Sequence, residues 1–210
     1  MPSLKLRALK RSVQELRRHF LPKVFRPLGD YSRPTRVQAH TRAFIVLVHA
    51  EIESYLEDWS QEVTDACETK WDTASRISKP LSCLLSASDQ CLQLPTNQLE
   101  IQQEEMPARV HNVIKAVIRS HKKTIKKNNG IKETNLLSLF APLGLPSIAL
   151  GSTLIPNLNS YGALRGELVH KSQKAVARTL DAETEFNKAI SLIADIEDLD
   201  KWLRNCRRGM

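Results

Sequence analysis

The chain has 210 residues, of which 41% are hydrophobic and 26% are charged, and its formal net charge is +8. This length is sufficient to bury the core of one domain without disulfide bonds. The four cysteines form no CxxC pair and have no histidine at zinc-ligand spacing, no secretory signal is visible, and no apolar run reaches about 18 residues. We therefore expect a cytoplasmic protein that does not cross a membrane and uses neither a metal nor another cofactor.

The charged side chains are segregated along the chain. Residues 1–36 carry ten Lys or Arg against two acids, and residues 107–132 carry eight against none. Residues 51–72 carry eight acids against one lysine, and residues 181–200 carry seven against one. This pattern is typical of a surface that binds a polyanion, because phosphate contacts supply most sequence-independent affinity. It is equally typical of helix faces that pair with one another inside a fold.

Helical periodicity begins near the N-terminus. Apolar residues spaced between Leu4 and Leu16 indicate a basic amphipathic helix, and the prolines and glycine of residues 22–34 predict irregular chain after it. A second, long helix is predicted from about residue 35 to 70 or beyond, because apolar residues between Ile45 and Cys67 recur at steps of three and four.

The middle of the chain predicts one strong helix after a loose connection. Residues 75–103, rich in Ser, Gln and Leu, predict a single short helix. The strong helix is expected from Pro107 to about Lys127, before Asn-Asn-Gly ends it. One face is expected to pack, and its residues are Val110, Ile114, Val117 and His121. Another face carries a basic stripe that is expected to meet solvent or RNA phosphates: Lys115, Arg119, Lys122 and Lys126.

The C-terminal part predicts a short helix in GIKETNLLSLF, a turn-rich loop, a helix from about 156 to 171 and a last helix from near Asp181. The fold class is therefore all-α: a single helical-bundle domain of five or six helices with a long central helix. Residues 1–30, a basic helix and a Pro-rich connection, are expected to pack on or extend the domain formed by residues 31–205.

The chain contains no phosphate-binding glycine loop, zinc-protease motif or serine-hydrolase motif. The segment HAEIE places His49, Glu51 and Glu53 on the long helix. The two glutamates point about 200° apart and cannot share one metal, and Glu53 is expected on a solvated acidic face. His49 falls on the apolar side, where a hydrogen-bonded core histidine is favoured over a catalytic one.

Three segments together resemble the HEPN superfamily of α-helical nucleic-acid-processing domains, and most closely its RiboL-PSP HEPN branch. They are LPKVFRPLGDYSRPTRVQAHTRAFIVLVHAEIESYLED, NNGIKETNLLSLFAPLGL and LNSYGALRGELVHKS. The resemblance spans about residues 20–200, with the segments in the expected order. The last segment contains the R-x4-H pattern formed by Arg165 and His170.

The resemblance implies a compact helical domain that dimerises, so that the Arg–His motifs of two protomers meet in one cleft. Many such domains cleave RNA without a metal, and others bind RNA or nucleotides or serve as inactive scaffolds. Carried over onto the motif, Arg165 and His170 are the catalytic pair. The superfamily commonly has a polar residue after the Arg, where this chain has Gly166, and some branches have a Tyr after the His, where it has Lys171.

The chemistry of the pair fits RNA cleavage. A histidine with a pKa near ~6.5 can give or take a proton at neutral pH, and a forked arginine suits phosphate oxygens. A five-residue step turns Arg165 and His170 about 140° apart, so a site shared across a twofold axis brings one chain's arginine to the other's histidine. Glu167 is a candidate orienting acid and Lys171 a candidate phosphate contact, although an i,i+4 ion pair between them explains both residues equally well. His49 and Glu51 are candidate accessory residues.

These observations predict a metal-independent endoribonuclease that acts as a homodimer, in the manner of a toxin or antiviral defence effector held in check or activated by a protein partner. The alternative is a non-catalytic RNA-binding or oligomerisation module of a defence complex. In that case the basic stripe and the N-terminal arm hold RNA, and the R-x4-H pair is structural.

Overall fold

The computed structural model describes residues 1–90, 92–103, 105–170 and 179–209. For Leu28, Gln103 and His170 it describes the backbone alone. No strand occurs in these ranges, which confirms the all-α class. Among the described helices, none combines the length and the hydrophobicity that spanning a bilayer requires.

Eight α-helices lie in the described ranges, joined by turns and short 3-10 segments. They are α1 (Leu4–Phe20), α2 (Pro34–Ala74), α3 (Lys79–Ser86), α4 (Gln98–Gln103), α5 (Met106–Lys126), α6 (Glu133–Phe140), α7 (Leu154–His170) and α8 (Ala182–Arg208). The long helix predicted near 35–70 is confirmed as α2, with 41 residues. The count exceeds five or six because three of the eight helices are short, α3, α4 and α6, with eight, six and eight residues, and because residues 75–103 contain two helices where one was predicted.

Contacts between residues group the chain into two compact units. The first contains residues 1–56, 129–136 and 146–204, and the second contains residues 57–128, 137–145 and 205–210. Each unit buries its own apolar side chains, and α2 contributes its first part to one and its remainder to the other. The proposed boundary between residues 30 and 31 stays a prediction.

In the first unit, α1 is tied to α8 through a buried carboxylate. Asp200 is 1% exposed and accepts hydrogen bonds from the Ser3 backbone N–H at 2.9 Å, the Ser3 hydroxyl and the Tyr55 hydroxyl at 2.9 Å. The Arg204 guanidinium lies 3.3 Å away and supplies a compensating charge. Ser3 also caps α1, because its hydroxyl oxygen accepts from the Leu6 N–H at 2.9 Å. The carboxylate therefore fixes the N-terminal end of α1.

In the second unit, α3 and α5 pack on the later part of α2. The core cluster consists of Cys67, Leu81, Leu84, Ile114, Val117 and Ile118. Below it, the buried His121 lies 3.3 Å from the Ser60 hydroxyl, which donates to the Leu139 carbonyl at 3.0 Å. Burial lowers the pKa of His121 to about 4 against a smaller opposing effect of the backbone at Leu139, so this histidine is a neutral core residue at pH 7.

Candidate functional site

Helix α7 carries Arg165 in a partly buried position. Leu158, Tyr161 and Leu164 are buried and hold the helix against its neighbours in the first unit. Gly162 permits a close approach, because a Cβ at this position would lie 2.9 Å from Cγ of Lys132. The Arg165 Nε is buried and has no hydrogen-bond partner among the described residues. The guanidinium is therefore held in the wall of the unit with a donor still unused.

His170 is the last residue of α7, five positions after Arg165. This step places the two Cα–Cβ directions about 140° apart around the helix axis. The His170 side chain and the whole of Lys171 lie outside the part of the chain that the structure describes. The catalytic pairing of Arg165 with His170 therefore stays a prediction.

The candidate accessory residue His49 lies within range of the positive charge of Arg165. His49 lies on α2 and is 2% exposed, and its Nδ1 makes no hydrogen bond to a described residue. Burial, and then the positive charge of Arg165, lowers the pKa of His49 to about 4. His49 is thus a buried histidine that is neutral at pH 7, and within the described part of the chain its Nδ1 lacks the hydrogen bond that the sequence favoured.

Glu53 differs from its expected position on a solvated face. Its side chain is only 18% exposed, and its Oε2 lies 3.6 Å from the Nδ1 of His49, one helical turn away. That distance is too long for a hydrogen bond but short enough for an electrostatic interaction. Glu51, the candidate named from sequence, is two residues earlier and projects about 200° away from Glu53. Proximity to His49 therefore favours Glu53 over Glu51.

Arg42 is a further residue that the sequence analysis missed. It is half-buried, and its Nε is buried without a hydrogen-bond partner in the described ranges. Arg42, His49 and Glu53 are separated by seven and four residues, which places them on one stripe of α2. The seven- and four-residue spacing was visible in the sequence.

Glu167 lies away from Arg165. It lines a cavity of about 290 Å³ between α7 and α8, with Lys188 and Ser191 on the opposite wall. A two-residue step on a helix turns side chains about 200° apart, so Glu167 and Arg165 occupy different faces of α7. The structure therefore does not bring Glu167 to the Arg165 side.

The basic stripe of α5 is divided by ion pairs in the second unit. Lys115 contacts Glu68 at 2.6 Å and Asp72 at 2.9 Å, and Lys122 contacts Glu68 and Asp65, each at 2.5 Å. Hydrogen bonds from the two lysines lower the pKa of the Glu68 carboxyl. The expectation that both lysines meet solvent or RNA is therefore replaced by pairing with α2.

The other two members of the stripe, Arg119 and Lys126, are exposed and have no acidic partner in the described part of the chain. The packed face of α5 agrees with expectation at Ile114, Val117 and His121, which are buried, and at Val110, which is partly buried and packs against the core cluster. The stripe thus offers two free cations rather than four.

Within the described ranges, no group of three or more His, Cys, Asp or Glu side chains is arranged to hold a metal ion.

The described residues form an all-α fold of the kind expected for a HEPN-like domain, with Arg165 on the penultimate helix. The RiboL-PSP-HEPN family matches residues 7–205, nearly the whole chain. This chain is a member of the RiboL-PSP-HEPN family, a branch of HEPN. No curated protein and no solved structure matches it.

Proposed function

We propose that this protein is a metal-independent endoribonuclease in which Arg165 binds the scissile phosphate and His170 transfers the proton. Membership of a HEPN family supports a ribonuclease or other RNA-related function. The observation that carries the proposal is the state of Arg165. A half-buried guanidinium whose Nε has no partner in the described residues is suited to a ligand that supplies oxygen acceptors.

The neighbours of Arg165 support an anion-binding role. A carboxylate bonded directly to a guanidinium would compete with phosphate, whereas His49 is neutral at pH 7 and adds no charge of its own. Glu53 lies beside His49 at 3.6 Å and can steady the imidazole by electrostatic attraction. His49 and Glu53 are therefore positioning residues for Arg165.

The proposed reaction needs only the chain's own side chains and the RNA. The 2′-hydroxyl oxygen attacks the adjacent phosphorus while a base removes its proton, and the bond from phosphorus to the 5′-oxygen breaks as that oxygen receives a proton. The products are a 2′,3′-cyclic phosphate and a 5′-hydroxyl end. His170 serves in the proton transfers, and Arg165 stabilises the charge that develops on the non-bridging phosphate oxygens.

The proposed site is completed by a second copy of the chain. Arg165 and His170 diverge by about 140° on α7, so one chain presents them poorly to the same phosphate. Across a twofold axis, Arg165 of each protomer and His170 of its partner face one RNA strand. We further infer a biological role as a toxin or antiviral defence effector, controlled by an inhibitory or activating protein partner.

The decisive experiment incubates labelled single-stranded RNA with the protein in EDTA, beside Arg165→Ala and His170→Ala. Both variants are expected to lose cleavage while keeping their fold, as measured by circular dichroism, and wild-type products are expected to carry a cyclic phosphate. Matched controls are Arg76→Ala and His111→Ala, which replace an exposed arginine and an exposed histidine elsewhere. Undiminished cleavage by the Arg165 and His170 variants would refute the assignment.

The second candidate is a non-catalytic RNA-binding or oligomerisation module. It is favoured by Gly166, which leaves open space where the superfamily commonly has a polar residue after the Arg. RNA binding without cleavage by the wild-type protein, with and without candidate activating proteins, would support this second function.

A further inference from the structure

A second cavity lies at the end of α1 and the start of α2, and no residue of α7 lines it. Its volume is about 420 Å³, which falls in the range of roughly 300–1,000 Å³ typical of small-ligand sites. Its wall comes from residues 18–23 and 31–40, all in the first unit. The cavity is therefore built by the basic N-terminal segment and is separate from the residues proposed for catalysis.

The wall of the cavity carries positive charge that no acidic side chain of the wall neutralises. Four permanent cations line it, and no Asp or Glu does: Arg18, Lys23, Arg33 and Arg36. All four are exposed, and none forms an ion pair with a described residue. By contrast, Lys10, Lys115 and Lys122 each contact a carboxylate elsewhere in the fold. The cavity is thus a place where cations remain available to an anionic ligand.

Aromatic rings line the same cavity. Phe20 and His40 meet edge to face, with ring centroids 6.2 Å apart, and both are half-buried. Tyr31 is also half-buried, and its hydroxyl accepts a hydrogen bond from the Arg26 N–H at 2.8 Å. Rings held in this way present flat surfaces on which a nucleobase can stack.

Residues 21–33, which connect α1 to α2 and supply part of the wall, are held in place by side-chain contacts. The Arg17 guanidinium donates to the Lys23 carbonyl at 3.3 Å and lies over the rings of Phe25 and Phe186, 5.2 and 5.7 Å from their centroids. Cation–π contacts of this kind tie the connection to α8. The wall is therefore preorganised, which reduces the ordering cost of binding.

We propose that this cavity binds a nucleotide of single-stranded RNA, with its phosphates on Arg18, Lys23, Arg33 and Arg36 and its base against Phe20, Tyr31 and His40. The inference rests on the proposed function for the identity of the polymer. The combination of cations with aromatic rings favours RNA over an acidic peptide, which has no base to stack.

The test uses the wild-type chain and a 3′-fluorescein, 2′-O-methyl oligouridylate of twelve nucleotides. Blocking the 2′-hydroxyl removes the nucleophile, so fluorescence anisotropy measures binding without cleavage. The charge variant is Arg33→Gln with Arg36→Gln. Its matched control, Arg76→Gln with Lys79→Gln, removes two exposed cations that do not line the cavity.

Loss of two phosphate contacts is expected to weaken binding about 20-fold at 0.1 M salt and to reduce the slope of log K against log salt by about 1.4. The control is expected to change affinity less than about 2-fold. Tyr31→Leu is expected to weaken binding by about 5-fold or more, whereas Tyr31→Phe retains the ring and the affinity. Equal affinities for the charge variant and its control would overturn the proposal.

Competition experiments distinguish a nucleotide from inorganic phosphate and from an acidic peptide as the ligand of the cavity. Uridine monophosphate is expected to displace the oligonucleotide better than inorganic phosphate, because it supplies a base as well as a charge. Stronger displacement by a glutamate-rich peptide would overturn the assignment in favour of a protein ligand.

If the cavity variants lose binding but the wild type never cleaves unmodified RNA, the binding site stands and the nuclease proposal fails. If the wild type cleaves RNA and the cavity variants bind it normally, only the cavity proposal fails.

Discussion

His49 and His121 are two buried histidines whose surroundings differ. His121 lies beside the Ser60 hydroxyl, whereas the Nδ1 of His49 has no hydrogen bond to a described residue and faces the charge of Arg165. Burial is the main reason that the pKa of each is lowered to about 4. A neutral imidazole in the core suits a packing role at His121 and a positioning role at His49.

Both histidines predict a loss of stability in acid. Their pKa values are about 4 in the folded chain, below the value of about 6.5 in an unfolded one, so the unfolded state binds more protons as pH falls. The free energy of unfolding is expected to fall by about 1–2 kcal/mol per histidine between pH 7 and pH 5. Urea titrations at both pH values measure it. In His121→Gln, the free energy of unfolding should fall by about that much less than in the wild type over the same pH interval. An identical fall in both proteins would show that His121 does not have a lowered pKa in the folded chain.

The two glycines of α7 predict unequal effects of an added methyl group. At Gly166 a Cβ meets nothing within 4 Å, so Gly166→Ala is expected to stabilise the protein by about 0.5–1 kcal/mol through helix propensity. At Gly162 a Cβ would lie 2.9 Å from the Lys132 Cγ and must displace that side chain, so Gly162→Ala is expected to stabilise the protein by about 1 kcal/mol less than Gly166→Ala does. Urea unfolding of both variants measures the change in the free energy of unfolding. Equal changes in the two variants would show that the packing at Gly162 is looser than described.

At the scale of the helix, α5 shows why charge in a sequence does not identify a binding surface. Its lysines at 115 and 122 extend to Asp65, Glu68 and Asp72 of α2, within the second unit. Arg119 and Lys126 point to solvent. The charge pattern predicts either a polyanion-binding surface or ion pairs within the fold. On α5, Arg119 and Lys126 are available for the first role, and Lys115 and Lys122 fill the second.

Paired variants of α5 separate the two roles. Lys115→Gln with Lys122→Gln is expected to cost about 1 kcal/mol of stability, an effect that shrinks in 1 M salt, with little change in RNA affinity. Arg119→Gln with Lys126→Gln should leave stability within about 0.5 kcal/mol and reduce the salt slope of RNA binding by about 1.4. Unfolding and anisotropy titrations measure both quantities. A larger affinity loss in the first pair would show that RNA displaces the acids of α2.

The elements themselves were largely predictable. The long α2 and the start of α5 followed from apolar periodicity and from a proline in the first turn, which are properties of local sequence. The two short helices between residues 75 and 103 were merged into one prediction, because α4 has only six residues. Residues of the site were less predictable, since the effect of the Arg165 charge on His49 depends on how helices far apart in sequence pack within the first unit.

At the scale of the whole molecule, the proposed function depends on a second copy of the chain. The divergence of Arg165 and His170 on one helix favours a site shared between protomers over a site within one. This arrangement makes a prediction that no single-chain mechanism shares.

Complementation between inactive variants tests the shared site. Arg165→Ala and His170→Ala, coexpressed in equal amounts, form heterodimers in half of the dimers, and each heterodimer has one site with an intact arginine and an intact histidine. Cleavage is expected to recover to about a quarter of the wild-type rate, because one site in two is intact in half of the dimers. Each variant alone stays inactive. Failure of the coexpressed pair to cleave, with heterodimers demonstrated by mass spectrometry, would place the site within one chain.

The sequence by itself determined the all-α class, the long helix and membership of a HEPN family, because periodicity, proline positions and family motifs are recorded in the order of residues. Tertiary structure decided which charges are neutralised within the chain and which buried groups lie together. It paired Lys115 and Lys122 with α2, placed the buried His49 within range of the Arg165 charge and left four cations around one cavity. Burial and electrostatic interaction depend on distances across the fold, and residues far apart in sequence establish those distances only when the helices pack.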